Sequence, residues 1–248
     1  MAVTPLSGLG YLLTGVRLIA GSGLRRFVVV PLLVNTIVFA GAIWAGVAWF
    51  EGIVARTQAR VPGWLQWLEW VLWPAFILAL AVLVFYTFGL LANLIAAPFN
   101  ALLAEKVELH LRGQPLDQGE GLAKAMRELV PKLLDELRKL MYAALWAVPF
   151  LVLFVVPGIN LAAPFLWFLY TAWMLALQYI DYPMGNHGLK FKAMRARLRR
   201  RRLVGLGFGA ATAGMTLVPV LNFIVMPSAV AGATALWVRE LQDDPVEP

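Results

Sequence analysis

The chain contains no cysteine, only two histidines and only three serines in 248 residues. Without cysteine it can hold no disulfide framework, no thiolate metal site and no cysteine nucleophile. His110 and His187 stand far apart with no ligand spacing around either, so both read as structural or capping residues. Ser7, Ser22 and Ser228 sit in no G-x-S-x-G elbow, and no G-x-x-x-x-G-K-S/T loop is present to cradle a nucleotide phosphate. Gly205, Gly207 and Gly209 follow no strand signal, which excludes a dinucleotide fingerprint; Gly205 and Gly209 suit close helix packing instead. The expectation is a protein that is not an enzyme and uses neither cofactor nor metal.

Charge is the other scarcity: 14% of residues are charged, against 61% hydrophobic. Residues 27–50, 70–104, 140–180 and 203–238 contain no Asp, Glu, Lys or Arg. A bilayer core needs about 20 apolar residues in a helix, and these runs hold 24, 35, 41 and 36. None alternates with period two, which excludes barrel strands. In hydrocarbon every backbone N–H and C=O must then be paired within its own segment, and only helices do that. Ten tryptophans suit a chain that meets a lipid–water boundary. The fold class is an all-α integral membrane protein, with residues 1–248 as a single membrane domain.

How the runs are interrupted sets the number of crossings. Arg17, Arg25 and Arg26 break up residues 1–26, so this stretch does not read as a cleavable signal, and 27–50 reads as a retained span with Pro31 in its first turn. The second span, 70–104, opens on Trp64, Trp67, Trp70 and Trp73, spaced by three as in an aromatic belt. Its length exceeds the hydrocarbon thickness, so it tilts or runs on into an extension around Glu105 to Arg112.

The third and fourth runs each break at an uncharged Pro turn, Pro157-Gly158-Ile159-Asn160 and Pro219-Val220-Leu221-Asn222. Each of the latter's arms holds 16 residues, about 24 Å of helix, which falls short of a core roughly 30 Å thick. Turns so apolar are poorly suited to water. The expected architecture is two long transmembrane helices plus two re-entrant helical hairpins, 140–180 and 203–238, with four ordinary crossings as the alternative.

Charge placement favours the hairpins. Of 21 Lys and Arg, only Arg56 and Arg60 lie between the first two runs; the rest fall in segments that this topology puts on one face, the cytoplasmic one. The basic segment 190–202 carries eight Lys and Arg without an acid, and reads as a topology anchor touching anionic lipid head groups. No reading element or stacking platform accompanies it, so nucleic acid is not expected as a partner. Residues 105–139 form an amphipathic cytoplasmic helical segment. Leu122, Met126, Leu129, Leu133, Leu137 and Leu140 make its apolar stripe, Glu128 and Lys132 are a surface pair, and a kink or restart is expected near Pro131.

One constellation is left: Gly21-Ser22-Gly23-Leu24-Arg25-Arg26-Phe27, at the mouth of the first span. Glycines before a helix start let successive N–H groups converge, and the helix dipole adds partial positive charge there. Arginine brings a planar fork that matches sulfate or phosphate oxygens. The same pair is also the commonest topology signal, and spacing does not choose between an anion seat and an anchor.

Gly23-Leu24-Arg25-Arg26-Phe27 with Val30-Pro31-Leu32-Leu33-Val34-Asn35, and Asn93 to Asn100 with Leu102-Leu103-Ala104-Glu105, resemble the CysZ family of bacterial inner-membrane sulfate permeases. The likeness continues through Pro157-Gly158-Ile159, Asp181-Tyr182-Pro183, Asn186-His187, Pro219 with Leu221-Asn222, and Met226-Pro227 with Gly232-Ala233-Thr234. The resemblance implies a multi-pass inner-membrane protein that admits sulfate for cysteine synthesis, as a homo-oligomer built from dimers, a hexamer in the family's pattern. It implies sulfate binding at Gly23, Leu24, Arg25 and Arg26. Asn35, Asn93, Asn100, Glu105, Asp181, Asn186 and His187 then either line a path or hold the fold. A non-transporting membrane scaffold or lipid-organising envelope protein is the alternative function.

Overall fold

The computed structural model describes residues 4–21, 23–58, 67–113 and 122–242, and all regular structure among them is helical. The helices are α1 (Pro5–Ala20), α2 (Arg26–Gln58), α3 (Leu68–Arg112), α4 (Leu122–Leu153), α5 (Ala163–Asn186), α6 (Phe191–Arg200), α7 (Arg202–Thr216) and α8 (Pro219–Leu236), followed by a π-helical turn, Trp237–Leu241. The chain divides into two compact units, residues 29–99 and residues 1–28 with 100–248.

In the smaller unit α2 and α3 pack through aromatics. Phe50 stacks on Phe76 with ring centroids 3.9 Å apart, and Trp73 meets Phe50 edge-on at 4.8 Å. Their outer faces stay apolar and exposed, with Ile37, Trp44, Trp49, Trp70 and Leu78 among the most open side chains. That distribution fits lipid as the solvent. Of the expected aromatic belt, Trp67 and Trp70 are exposed, Trp73 turns inward, and Trp64 lies outside the described residues.

Pro31 stands sixth in α2 rather than in its first turn, because the helix already starts at Arg26. α3 does run on to Arg112, giving 45 residues in one helix. No restart occurs near Pro131: α4 is one helix that joins the amphipathic segment to the first arm of the third run. A proline costs a helix interior about 3 kcal/mol, which strong formers on both sides (Leu, Ala, Lys, Glu, Arg, Met) can offset. The side chains of Leu122, Met126, Leu129 and Leu133, and of the pair Glu128 and Lys132, lie outside the described residues; Leu137 and Leu140 are exposed.

In the larger unit α7 and α8 stand at the centre of the core. α1 lies across α7 and α8, and α5 packs on α7. Small residues let these backbones touch. A methyl group on Gly209 would run into the Ala172 carbonyl, and one on Gly232 would stand 2.6 Å from the Tyr11 carbonyl. The expected packing role of Gly209 is thereby met, whereas Gly205 faces only the Leu198 side chain. α1 lies ahead of the first long charge-free run and carries no such run of its own; its buried stripe is Gly8, Leu12, Gly15 and Ile19. Residues 225–237 of α8 and its extension are almost entirely buried.

Among the described residues, three helical segments are long and apolar enough to cross a membrane by length and composition: Arg26–Arg56, Ala163–Asn186 and Pro219–Leu241. The last two extend beyond the uncharged arms read from the sequence. α5 continues through Asp181 and Pro183, and ends only where Gly188, at φ +69°, lets the Leu189 N–H reach back to the Met184 carbonyl. Both turns between paired helices are apolar and open: Val155, Leu161, Leu217 and Val220 are each 77% exposed or more.

Candidate functional site

The Arg25-Arg26 turn is built by local geometry. α1 stops at Gly21, whose N–H donates to the Leu18 carbonyl, and Gly23 takes φ +97°, a conformation in which other residues pay for their Cβ. The Phe27 and Val28 amides donate to the Leu24 and Arg25 carbonyls at 3.0 Å as α2 begins. Leu24 is buried in the core of the larger unit and anchors the turn. Ser22 lies outside the described residues.

Arg25 and Arg26 are both exposed, on neighbouring positions at the start of α2. Arg25 Nε donates to the Ala20 carbonyl at 2.7 Å, which ties the second helix's start to the first helix's end. That bond uses one of the five guanidinium donors. The Arg26 guanidinium lies over the Phe27 ring, 5.0 Å from its centroid. The helix start also carries the positive end of the helix dipole. Such a turn can hold a tetrahedral oxyanion by planar forks and backbone amides together.

A second polar group joins the C-terminal ends of α3 and α5. Glu108 is buried, yet His187 Nε2 lies 2.9 and 3.0 Å from its two carboxylate oxygens and Arg112 donates to it at 2.8 Å. Burial pushes this carboxyl up, but hydrogen bonds from His187 and Arg112 and their charges outweigh that and hold it below its ordinary value. The Gln242 amide oxygen, in the orientation that satisfies the pair, accepts from Arg112 at 2.8 and 3.2 Å. His187 also caps α5 and leans on the Trp237 ring, 5.2 Å between centroids.

The remaining residues singled out from sequence divide between these places. Asn186 donates to the Ala101 carbonyl at 2.9 Å, and the buried Asn100 makes a long contact of 3.5 Å to the Tyr182 hydroxyl. Asp181 pairs with Lys139 of α4 at 2.6 Å, and Glu105 pairs with its neighbour Lys106. Asn35 belongs to the smaller unit, where its Oδ1 is buried with no partner. The side chain of Asn93 lies outside the described residues. Among the described residues no three His, Asp or Glu gather as a metal site.

Glu108 and Arg112 were missed from sequence. Their signal was a carboxylate set on the same face of α3 as Asn100, Leu103, Ala104 and Val107, all buried, with an arginine four residues on.

Comparison with known proteins supplies the remaining finding. The family described as Sulfate transporter CysZ/Etoposide-induced protein 2.4 matches residues 11–227. A protein of Pectobacterium atrosepticum named Sulfate transporter CysZ is 44% identical over 234 residues, 94% of this chain and 84% of that one. Proteins of the same name from Salmonella typhimurium and Pseudomonas aeruginosa are each 45% identical, over 94% and 95% of this chain and 92% and 96% of theirs.

Proposed function

Because the chain belongs to the sulfate transporter CysZ/etoposide-induced protein family, we propose that it passes sulfate through the membrane and first holds the anion at Gly23, Leu24, Arg25 and Arg26. It is a transporter and not an enzyme. The observation that carries the site assignment is the meeting, within one turn, of a left-handed glycine, a helix start and two adjacent exposed guanidinium groups.

A sulfate dianion enters hydrocarbon only if its hydration is replaced, since burying even one unpaired charge is costly. Arg25 and Arg26, with the turn's amides that precede Phe27, supply that replacement at the entrance, and Leu24 holds the turn in place. Passage also requires release, so the seat binds with modest affinity and hands the ion on. Of the other polar residues, Asn35 is the one we assign to the path, because its buried oxygen has no hydrogen-bond partner of its own. Asn100, Asp181, Asn186 and His187 have partners on neighbouring helices, which supports a role in holding α3, α4 and α5 together, whereas Glu105 pairs within α3.

The topology that fits is one membrane domain in which α2 and α3 cross the inner membrane, while the α4–α5 and α7–α8 pairs dip in and return. Exposed, uncharged turns at Val155, Leu161, Leu217 and Val220 support it. So does α7, whose 15 residues reach about 22 Å where a core is roughly 30 Å. The basic segment 190–202 then faces the cytoplasm and its anionic lipids. The family resemblance supports a homo-oligomer built from dimers and, at full size, a hexamer.

Radiolabelled sulfate entry into proteoliposomes holding the purified protein tests the proposal, with sulfite, thiosulfate and phosphate as competitors. Uptake no faster than into empty liposomes would leave the non-transporting scaffold standing.

A further inference from the structure

A cavity of about 420 Å³ opens between α4, α5, α6 and the start of α7, built from residues that play no part in the anion seat. Tyr142, Trp146 and Phe150 line one wall. They recur every four residues on one face of α4, a rise of about 12 Å along the helix. Trp173 of α5 stands opposite, and its Nε1 donates to the Tyr142 hydroxyl at 3.1 Å. At one end the cavity is cationic, lined by Arg195, Arg199 and Arg202. Arg199 and Arg202 are exposed, and the Arg195 guanidinium is held over the Tyr142 ring at 5.0 Å from its centroid.

The charges on this stretch are not equivalent. Arg201 lies near Glu240 at 3.7 Å, and Arg197 reaches the Leu241 carbonyl and the Trp237 ring, so both are turned toward the protein. Among the described residues no carboxylate pairs with Arg195, Arg199 or Arg202, and residues 190–202 contain no acid at all. Three guanidinium groups with no carboxylate partner among the described residues, lining an aromatic-walled cavity, form a site for a molecule that is anionic at its head and apolar along its body. Leu145, Trp146 and Leu169 beside it are exposed, so the apolar side of the cavity opens toward the outside of the unit rather than its core.

We propose that this cavity binds an anionic phospholipid, its phosphate forked by Arg195, Arg199 and Arg202 and one acyl chain laid along Tyr142, Trp146 and Phe150. The site is distinct from general attraction of a basic surface to a membrane, because only three of the eight basic residues in 190–202 line it.

The test uses the full chain in a mild detergent, with phosphatidylglycerol, phosphatidylcholine of the same chain length, or inorganic phosphate added. Native mass spectrometry and thermal shift report binding. Phosphatidylglycerol should be retained and raise the melting temperature, while phosphatidylcholine should not. The variant Arg195→Gln/Arg199→Gln/Arg202→Gln should weaken phosphatidylglycerol binding by about tenfold or more, as expected for loss of three head-group charges. Lys192→Gln/Arg200→Gln, which removes charge outside the cavity, should leave it unchanged. If the triple variant does not fold, Arg199→Gln alone, at an exposed position, and Trp146→Ala must each weaken binding. Equal retention of the two lipids, or an equal loss in the Lys192/Arg200 variant, would overturn the proposal. So would full displacement of the lipid by inorganic phosphate, which would make this a soluble-anion site.

Discussion

His187 reaches Glu108 across 79 residues of sequence, with Nε2 within 3.0 Å of both carboxylate oxygens, and so closes the end of α5 onto the end of α3. A buried carboxylate held by two cationic or donor groups is stable only while it stays ionised. Its carboxyl is held below the ordinary value of 4.5, so the stabilisation is complete above that pH and is lost as pH falls through the lower, folded-state value. Melting curves in detergent should therefore fall more steeply below pH 4.5 in the parent than in Glu108→Gln. At neutral pH that variant should be less stable by about 1–3 kcal/mol, the usual cost of disrupting a hydrogen bond to a buried charged group. A flat comparison across pH would exclude this pair as an acid-sensitive clasp.

Removing both guanidinium groups should abolish sulfate binding without unfolding the protein. Arg25→Ala/Arg26→Ala takes away exposed side chains, so size-exclusion behaviour should be kept while calorimetric titration with sulfate goes silent. Arg25→Lys keeps the charge but loses the fork and the bond to Ala20, and should bind about tenfold more weakly, or about 1.4 kcal/mol. Undiminished affinity in the double variant would remove the seat from this turn.

Gly23→Ala separates conformation from contact. Nothing lies within 4 Å of where its Cβ would be, so the only penalty is the left-handed backbone, about 1–2 kcal/mol. Sulfate affinity should drop while the melting temperature falls only a few degrees. A variant that binds normally would show that the turn's amides take no part.

Gly209→Val should do the opposite, disrupting the fold while leaving the Arg25-Arg26 turn's own residues untouched. The added carbons meet the Ala172 backbone, which cannot yield as a side chain does. Aggregation or loss of a monodisperse peak is the expected outcome, whereas Gly214→Ala, with open space around it, should behave as the parent.

A chain without cysteine is a clean background for topology. Single cysteines at Val155 and Val220 should resist a membrane-impermeant maleimide added to either side of sealed vesicles, while one at Lys192 should label from the cytoplasmic side only. Labelling of Val155 or Val220 from the side opposite to Lys192 would replace the dipping hairpins by full crossings.

The helical class and the length of α3 were legible because charge-free runs report the solvent directly, and lipid permits little else. The family resemblance was legible in short motifs such as Gly23 to Phe27, and the comparisons bear it out. α1 was not read because its buried stripe alternates glycine with leucine and isoleucine, which looks weak on any hydrophobic scale although the glycines are what make its contacts. The Glu108 cluster was not read because it depends on two helix ends meeting, a long-range pairing that local spacing does not encode. Near Pro131 strong helix formers on both sides carried α4 through without a restart.

The contact between Gly209 and Ala172 limits how this machine can move. Two backbones pressed together with no side chain between them cannot slide or roll past one another without first separating, so α5 and α7 must travel as one block. Whatever opens and shuts the route for the ion has to hinge at places other than that seam.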